Sequence, residues 1–399
     1  MIWKAIPPGR PHGGRAPLVV ATAVLVAASA AGCFFPSPNH GTTRNVLTFV
    51  AAGPSGAVVA VGWAASGRDR SPVAMNRTTG DGTWRLESVP SLAHADTVLN
   101  AISTVAGEAW AVGTSDPDGP APARTFVAYR NVRGGWQIVA SLNPGGGTAN
   151  NSLNAVFAAQ ASSCEDVCRT TVTAAGTTLT AGGARLPLVM SMSYPVGTSP
   201  SPSAPGWTLV NPDPKVLPAL TCGDPTGTDI ELFAVTGFQD IESPLVLAGR
   251  RGRCPLILTF FTYGWRDESP GGTGVLYALG AGWFVGANNL LVRSQCGSSG
   301  CGYVRVPVSG LAGRCVEWQA VTARPDGSVW VAGLASRTAT RCAPSDPVLA
   351  RWDGHSWQLS PVQPLPAGGA FYGIAATTQN SLWSVGTSGP NRFTLIDGR

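Results

Sequence analysis

The chain has 399 residues, 44% of them hydrophobic and only 12% charged, with 50 Gly and 33 Pro; this mix suits a β-rich exported chain and excludes a long helical bundle or a disordered one. A formal charge of +5 is too small to steer nucleic acid, so no nucleic-acid partner is expected. The nine cysteines point to an oxidising compartment, and the odd count leaves one over.

In chain order, Lys4, Arg10 and Arg15 precede an uncharged apolar run from Ala16 to Ala31, followed by Gly32 and Cys33. That is the layout of an export signal, and the run is too short to span a bilayer as a helix. Small residues directly before Cys33 resemble the bacterial lipoprotein box. The resemblance implies a lipid on Cys33 and a chain held at the extracytoplasmic face of the cell membrane. Ala28-Ser29-Ala30 offers an ordinary cleavage site instead. Residues 1–32 therefore read as a signal peptide, 33–45 as a lipidated tether and candidate closing strand, and 46–399 as the folded domain.

From there one phrase recurs: an apolar strand, a second strand ending in small-Val-Gly, a third strand, a tight turn and a Trp-bearing strand. The clearest copy runs Leu99-Asn100-Ala101-Ile102, Ala109-Trp110-Ala111-Val112-Gly113, Phe126-Val127-Ala128-Tyr129 and Gly135-Trp136-Gln137-Ile138. With the strand-ending glycine as marker, Gly62, Gly113, Gly176, Gly237, Gly286, Gly333 and Gly386 stand 47 to 63 residues apart. Units of about fifty residues with four short strands are the pattern of β-propeller blades. The expectation is an all-β, seven-bladed propeller of four-stranded antiparallel blades. The last unit stops at Arg399 without its Trp strand, so the segment from Thr42 to Val46 is expected to close the ring by completing that blade.

The turns Asp81-Gly82-Thr83-Trp84 and Trp352-Asp353-Gly354-His355-Ser356-Trp357 resemble those of secreted bacterial propellers of the Asp-box and kelch-like kind. The resemblance implies the fold and little else. Sialidases share this kind of fold, and their chemistry needs an arginine clamp, a Tyr nucleophile with a Glu partner and an acidic proton donor. No spacing identifies a clamp here, and the six Tyr have no evident Glu companion.

Beyond Cys33 the remaining cysteines are even in number and read as four disulfides: Cys164 with Cys168, Cys222 with Cys254, Cys296 with Cys301, and Cys315 with Cys342. Zinc binding is the rival, opposed by export and by the lack of nearby His. No cofactor, metal or catalytic residue is expected. The longer loops, Trp63 to Ser71, Thr114 to Arg124 and Leu334 to Pro347, should share one rim. They carry Trp63, Arg68, Asp69, Arg70, Asp116, Asp118, Arg124 and Arg337 as candidate binding residues. The Ser/Pro-rich insert from Tyr194 to Pro205 reads as a mobile surface loop. The expected function is thus a lipid-anchored, non-catalytic scaffold for an envelope protein or glycan. The alternative is a sialidase-like or other glycan-cleaving hydrolase.

Overall fold

The repeated glycine has a steric cause. In a computed structural model, which describes residues 45–398 except 67–68, 79–81, 93–95, 120, 146, 162–166, 204–205, 213–228, 238–243, 262–263, 298–299, 312, 337–345, 362–368 and 388–392, each innermost strand carries a bulge opposite that glycine. Leu47 and Phe49 flank the bulge opposite Gly62, and Leu99 and Ala101 flank the one opposite Gly113. A Cβ at Gly62 or Gly113 would lie 1.9 Å from the carbonyl of Val46 or Val98. Only glycine lets the two backbones approach so closely. In the fourth unit the glycine in this position is Gly249, whose Cβ would meet the Glu231 carbonyl at 1.9 Å. Gly237 merely follows the innermost strand there, which corrects that marker.

The first sheet comprises β1 (Asn45–Ala52), β2 (Val58–Ser66), β3 (Asp69–Arg77) and β4 (Trp84–Glu87). The second has β5 (Thr97–Val105), β6 (Glu108–Ser115), β7 (Arg124–Arg130) and β8 (Trp136–Ile138). The third has β9 (Asn150–Gln160), β10 (Arg169–Leu179), β11 (Arg185–Pro195) and β12 (Thr208–Leu209). Next come β13 (Ile230–Thr236), β14 (Leu245–Arg251), β15 (Cys254–Phe261) and β16 (Gly264–Asp267), then β17 (Leu276–Gly280), β18 (Trp283–Gly286), β19 (Leu291–Gly297) and β20 (Gly300–Arg305). The sixth comprises β21 (Val316–Ala323), β22 (Val329–Ala335), β23 (Asp346–Trp352) and β24 (Trp357–Ser360). Every sheet is an antiparallel meander, and among the described residues no helix is long and apolar enough to cross a membrane.

Among the described residues the propeller therefore has six four-stranded blades, not the seven expected. The remaining strands, β25 (Ala370–Ala376), β26 (Leu382–Thr387) and β27 (Phe393–Gly398), form a three-stranded sheet. Of the expected closing segment, Asn45 and Val46 pair with Ala64 and Trp63 inside the first blade, and Thr42 to Arg44 lie outside the described residues. Side chains seal this seam instead. Leu47, Val50 and Val58 share one apolar cluster with Ala375, Trp383 and Val385. Trp84 meets Trp383 edge to face at 5.3 Å, and the Arg77 guanidinium stacks 4.7 Å above the same ring. Residues 33–44 of the expected tether lie outside the described residues.

Each of the first three blades is joined to the next by a polar stitch from the extra residue of its bulge. Thr48 Oγ1 donates to the Leu99 carbonyl at 2.7 Å, Asn100 Nδ2 to Leu153 at 2.9 Å, and Asn154 Nδ2 to Leu232 at 2.9 Å. Each bond satisfies a carbonyl that the bulge removes from the sheet ladder. Between blades the core is aromatic: Trp283, Trp352 and Trp357 meet one another with centroids 4.9–5.7 Å apart. The described part of the Tyr194–Pro205 insert is mostly exposed, as a surface loop should be, but it is anchored at two points. Tyr194 is buried within β11, and the Ala140 amide donates to the Pro202 carbonyl at 2.7 Å.

Candidate functional site

Alternation of strand direction places the starts of the innermost and third strands, and the end of the second, on one rim. A latch repeats there. Asp96, just before β5, accepts from the Arg70 amide at the start of β3 (2.8 Å); Asp229, just before β13, accepts from the Arg185 amide at the start of β11 (3.0 Å). Asn150 does the same for the Ala123 amide at 2.8 Å. A short side-chain acceptor thus ties each of these blades to the next.

On the first of these latches a charged cluster is built. Arg70 grips Asp96 with Nε and Nη2, at 3.0 and 2.6 Å, and the same Nη2 reaches Asp118 Oδ2 at 2.5 Å. Burial works against the Arg70 charge, but the two carboxylates outweigh it and hold its pKa above the ordinary value. Asp116, in the left-handed backbone region at φ 54°, accepts from the Asp96 amide at 3.2 Å. The guanidinium also lies 5.7 Å from the centre of the half-buried Trp63 ring. Trp63, Arg70, Asp116 and Asp118 of the expected set therefore converge, joined by Asp96. Asp69 stands exposed beside them at the start of β3, and Arg124 opens β7 with its carbonyl accepting from Ser115 Oγ at 3.5 Å. Arg68 and Arg337 lie outside the described residues.

A second cluster occupies the next-but-one latch with reversed stoichiometry. Glu231 binds two arginines, Arg185 Nε at Oε1 and Arg250 Nε at Oε2, both at 2.5 Å. Arg185 Nη1 lies 3.6 Å from Asp229. Arg250, like Arg70, keeps its charge against burial because of its carboxylate partner. On the same rim Glu317, the second residue of β21, is half-buried, and burial raises its carboxyl above the ordinary range. None of Arg185, Asp229, Glu231, Arg250, Asp96 and Glu317 was singled out from the sequence. A signal existed for two: aligned on the bulge, Asp96 and Asp229, like Asn150, each stand three residues before the leucine there, Leu99, Leu232 and Leu153.

The opposite rim overturns one expectation, because the tyrosines do have glutamate companions. Glu108 accepts from Tyr129 at 2.7 Å and from Tyr194 at 2.6 Å, while Trp110 Nε1 donates to the Tyr194 hydroxyl at 3.1 Å. Burial first, and then Glu108, push the Tyr129 phenol to about 12 and Tyr194 higher still. Tyr303 bonds Glu268 at 3.0 Å. All four residues of the Glu108 group are buried, so it serves as a polar core joint between the second and third blades rather than an open site.

Cys168, Cys254 and Cys315 are disulfide-bonded. Their expected partners Cys164, Cys222 and Cys342 lie outside the described residues, as does Cys33. Cys296 and Cys301 stand directly opposite each other on β19 and β20. Among the described residues no group of three or more His, Cys, Asp or Glu could hold a metal ion.

No protein-family model and no curated protein matches the chain. Solved structures do, at the level of fold. Sqt1 of Chaetomium thermophilum, bound to the N-terminus of ribosomal protein L10, is 12% identical with a TM-score of 0.50, covering 90% of this chain and 98% of that one. The α-L-arabinanase of Penicillium chrysogenum, complexed with arabinobiose, is 11% identical with a TM-score of 0.46, over 94% and 97% of the two chains. The α-L-arabinofuranosidase Arb93A of Fusarium graminearum, with an iminosugar inhibitor, is 10% identical with a TM-score of 0.48, over 94% and 98%. At these identities the likeness is one of architecture. The scaffold expectation rested on the repeat, the export signal and the absence of a convergent catalytic set. The rim instead gathers Arg70, Asp96, Asp116 and Asp118 in one cluster, which removes that ground for a non-catalytic scaffold.

Proposed function

We propose that the chain is a hydrolase that cleaves a glycan lying across the rim between the first and second blades. One observation carries this reading: Arg70 Nη2 holds oxygens of Asp96 and Asp118 at 2.6 and 2.5 Å. Two carboxylates are thereby held side by side on one guanidinium nitrogen, Asp118 being the more open of the two. In this reading Asp96 fixes the guanidinium, and the more exposed Asp118 faces the sugar as nucleophile. Trp63 supplies an apolar face for the ring, as aromatic side chains do in ligand clefts. The proton donor must be a carboxyl whose pKa is raised, and burial raises that of Glu317 on the same rim.

The remaining expectations join this proposal. Cys33 carries a lipid that holds the enzyme at the outer face of the cell membrane, and the four disulfides pair as expected, supported by the bonded state of Cys168, Cys254 and Cys315. Retention of a radiolabelled lipid by wild type and its loss in Cys33→Ser tests the anchor.

For the activity, intact protein is incubated with arabinan, sialyllactose and polygalacturonate, and reducing ends are counted. We expect turnover of at least one, with retained anomeric configuration, and at least a hundredfold loss in Asp118→Asn with unchanged melting. Absence of any turnover, or an Asp118→Asn variant as active as wild type, would overturn the reading.

A further inference from the structure

The cluster between the third and fourth blades is an inverted version of the first, and it is only half used by the protein itself. Glu231 engages each guanidinium through Nε alone. The Arg185 and Arg250 side chains remain 41% and 36% exposed, and Arg250 makes no further hydrogen bond among the described residues. A guanidinium held at Nε keeps its outer Nη pair in a fixed orientation, which suits a planar carboxylate. Glu231 therefore works as a template that sets two arginines side by side. Arg251 and Arg253 follow in the tight β14–β15 turn, and Arg253 is exposed. Among the described residues four arginines gather at Asp229 and Glu231, whereas at the first cluster the single Arg70 meets Asp96 and Asp118, with Asp116 on the Asp96 amide and Asp69 next to it in the chain. The rim is thus polarised, negative at one arc and positive at another.

We infer that Arg185 and Arg250, oriented by Glu231, form a binding subsite for the carboxylate of an acidic polysaccharide of the uronate type. This rests on the hydrolase reading for what happens at the other arc and deepens it by naming the substrate class. A chain carrying regularly spaced carboxylates would be drawn to the positive arc and anchored there.

The test uses intact protein and measures binding, not turnover. The probes are polygalacturonate, the same polymer fully methyl-esterified, and dextran sulfate, all at near-physiological salt. We expect polygalacturonate to bind at least tenfold more tightly than its ester and more tightly than dextran sulfate. Arg250→Gln and Arg185→Gln should each remove most of that preference, and the exposed Arg253→Ser, which carries no packing risk, should weaken it two- to threefold. Glu231→Gln separates templating from bulk charge. Removing a negative charge should tighten anion binding by simple attraction, whereas loss of the template weakens it; we expect weakening, with folding verified by circular dichroism. Equal binding of polymer and ester, stronger binding of dextran sulfate, or tighter binding by Glu231→Gln would overturn the inference. Selective binding without any cleavage leaves this subsite standing and removes the hydrolase reading; cleavage of a neutral glycan without selective binding does the reverse.

Discussion

The two charged arcs start from the same backbone device and end with opposite sign. In both, an aspartate just ahead of an innermost strand accepts from the amide of an arginine that opens the third strand of the preceding blade, Asp96 with Arg70 and Asp229 with Arg185. Their difference lies in the pair of residues beside the glycine. Val98 faces Thr114 in the second blade, and Glu231 faces Arg250 in the fourth. Loop length supplies the rest. The β6–β7 connection is long enough to bring Asp116 and Asp118 back over Arg70, while β14 and β15 are joined by the tight turn Arg251–Cys254. One arc thus holds a cation between carboxylates, and the other holds a carboxylate between cations. A rigid repeated frame fixes where charges stand, and one strand pair and one loop choose their sign.

The comparison can be broken at its shared frame, with the largest effect. Gly113→Val and Gly249→Val each drive a side chain into a carbonyl 1.9 Å from the Cβ position. We expect a loss of about 3 kcal/mol or more, or failure to fold, in thermal denaturation for both. If either is tolerated, the bulge does not explain the repeat.

The arcs themselves should then differ. Arg70→Ala leaves Asp96, whose side chain is 15% exposed, without its cation, and a loss of about 2–4 kcal/mol in denaturant unfolding is expected. Arg185→Ala, at a more open site, should cost about 1 kcal/mol or less. Equal losses would erase the distinction between a closed and an open cluster.

Glu317 gives a smaller, pH-dependent effect. Its folded carboxyl is raised by burial above the ordinary 4.5, so the folded state holds the proton more tightly than the unfolded one. Stability from this group is complete below the unfolded value and falls as pH rises through the folded one. Glu317→Gln should remove that fall, so its melting temperature should exceed wild type at pH 7 and converge with it at pH 4. A gap that is the same at both pH values would count against burial as the cause. The smallest effect is expected at the seam: because Val46 pairs within the first blade, removing residues 34–44 should leave the melting temperature unchanged.

Much of the architecture could be read from the residues because sheet geometry is local. Period-2 apolar runs, Gly and Asn at positive φ in turns such as Gly107, Gly134 and Asn380, and a small-Val-Gly ending recur wherever a bulge must be accommodated. Where the pattern failed, longer-range contacts had taken over. Gly237 was mistaken for the marker because Gly249 sits in Leu247-Ala248-Gly249, without the usual valine before it. The closing strand was misassigned because an unfinished last unit does not reveal that Trp383, Trp84 and Arg77 seal the seam through side chains. Trp63, Arg70, Asp116 and Asp118 were legible as rim residues because long polar loops on a rigid β frame are exposed. Asp96 and Glu231 were not, since Asp96 directly precedes and Glu231 lies within a strand that reads as ordinary core.

By itself, then, the sequence determined the strand repeat, the antiparallel meander and the rim on which charged loops gather, because turn chemistry and side-chain alternation act over a few residues. Only the tertiary structure decided the number of complete blades, the way the ring is sealed and which charges meet. Asp96 and Arg70 are joined across a blade boundary, as are Glu231 and Arg185. Ion pairing depends on distance in space, and no spacing along the chain encodes it until the blades stack.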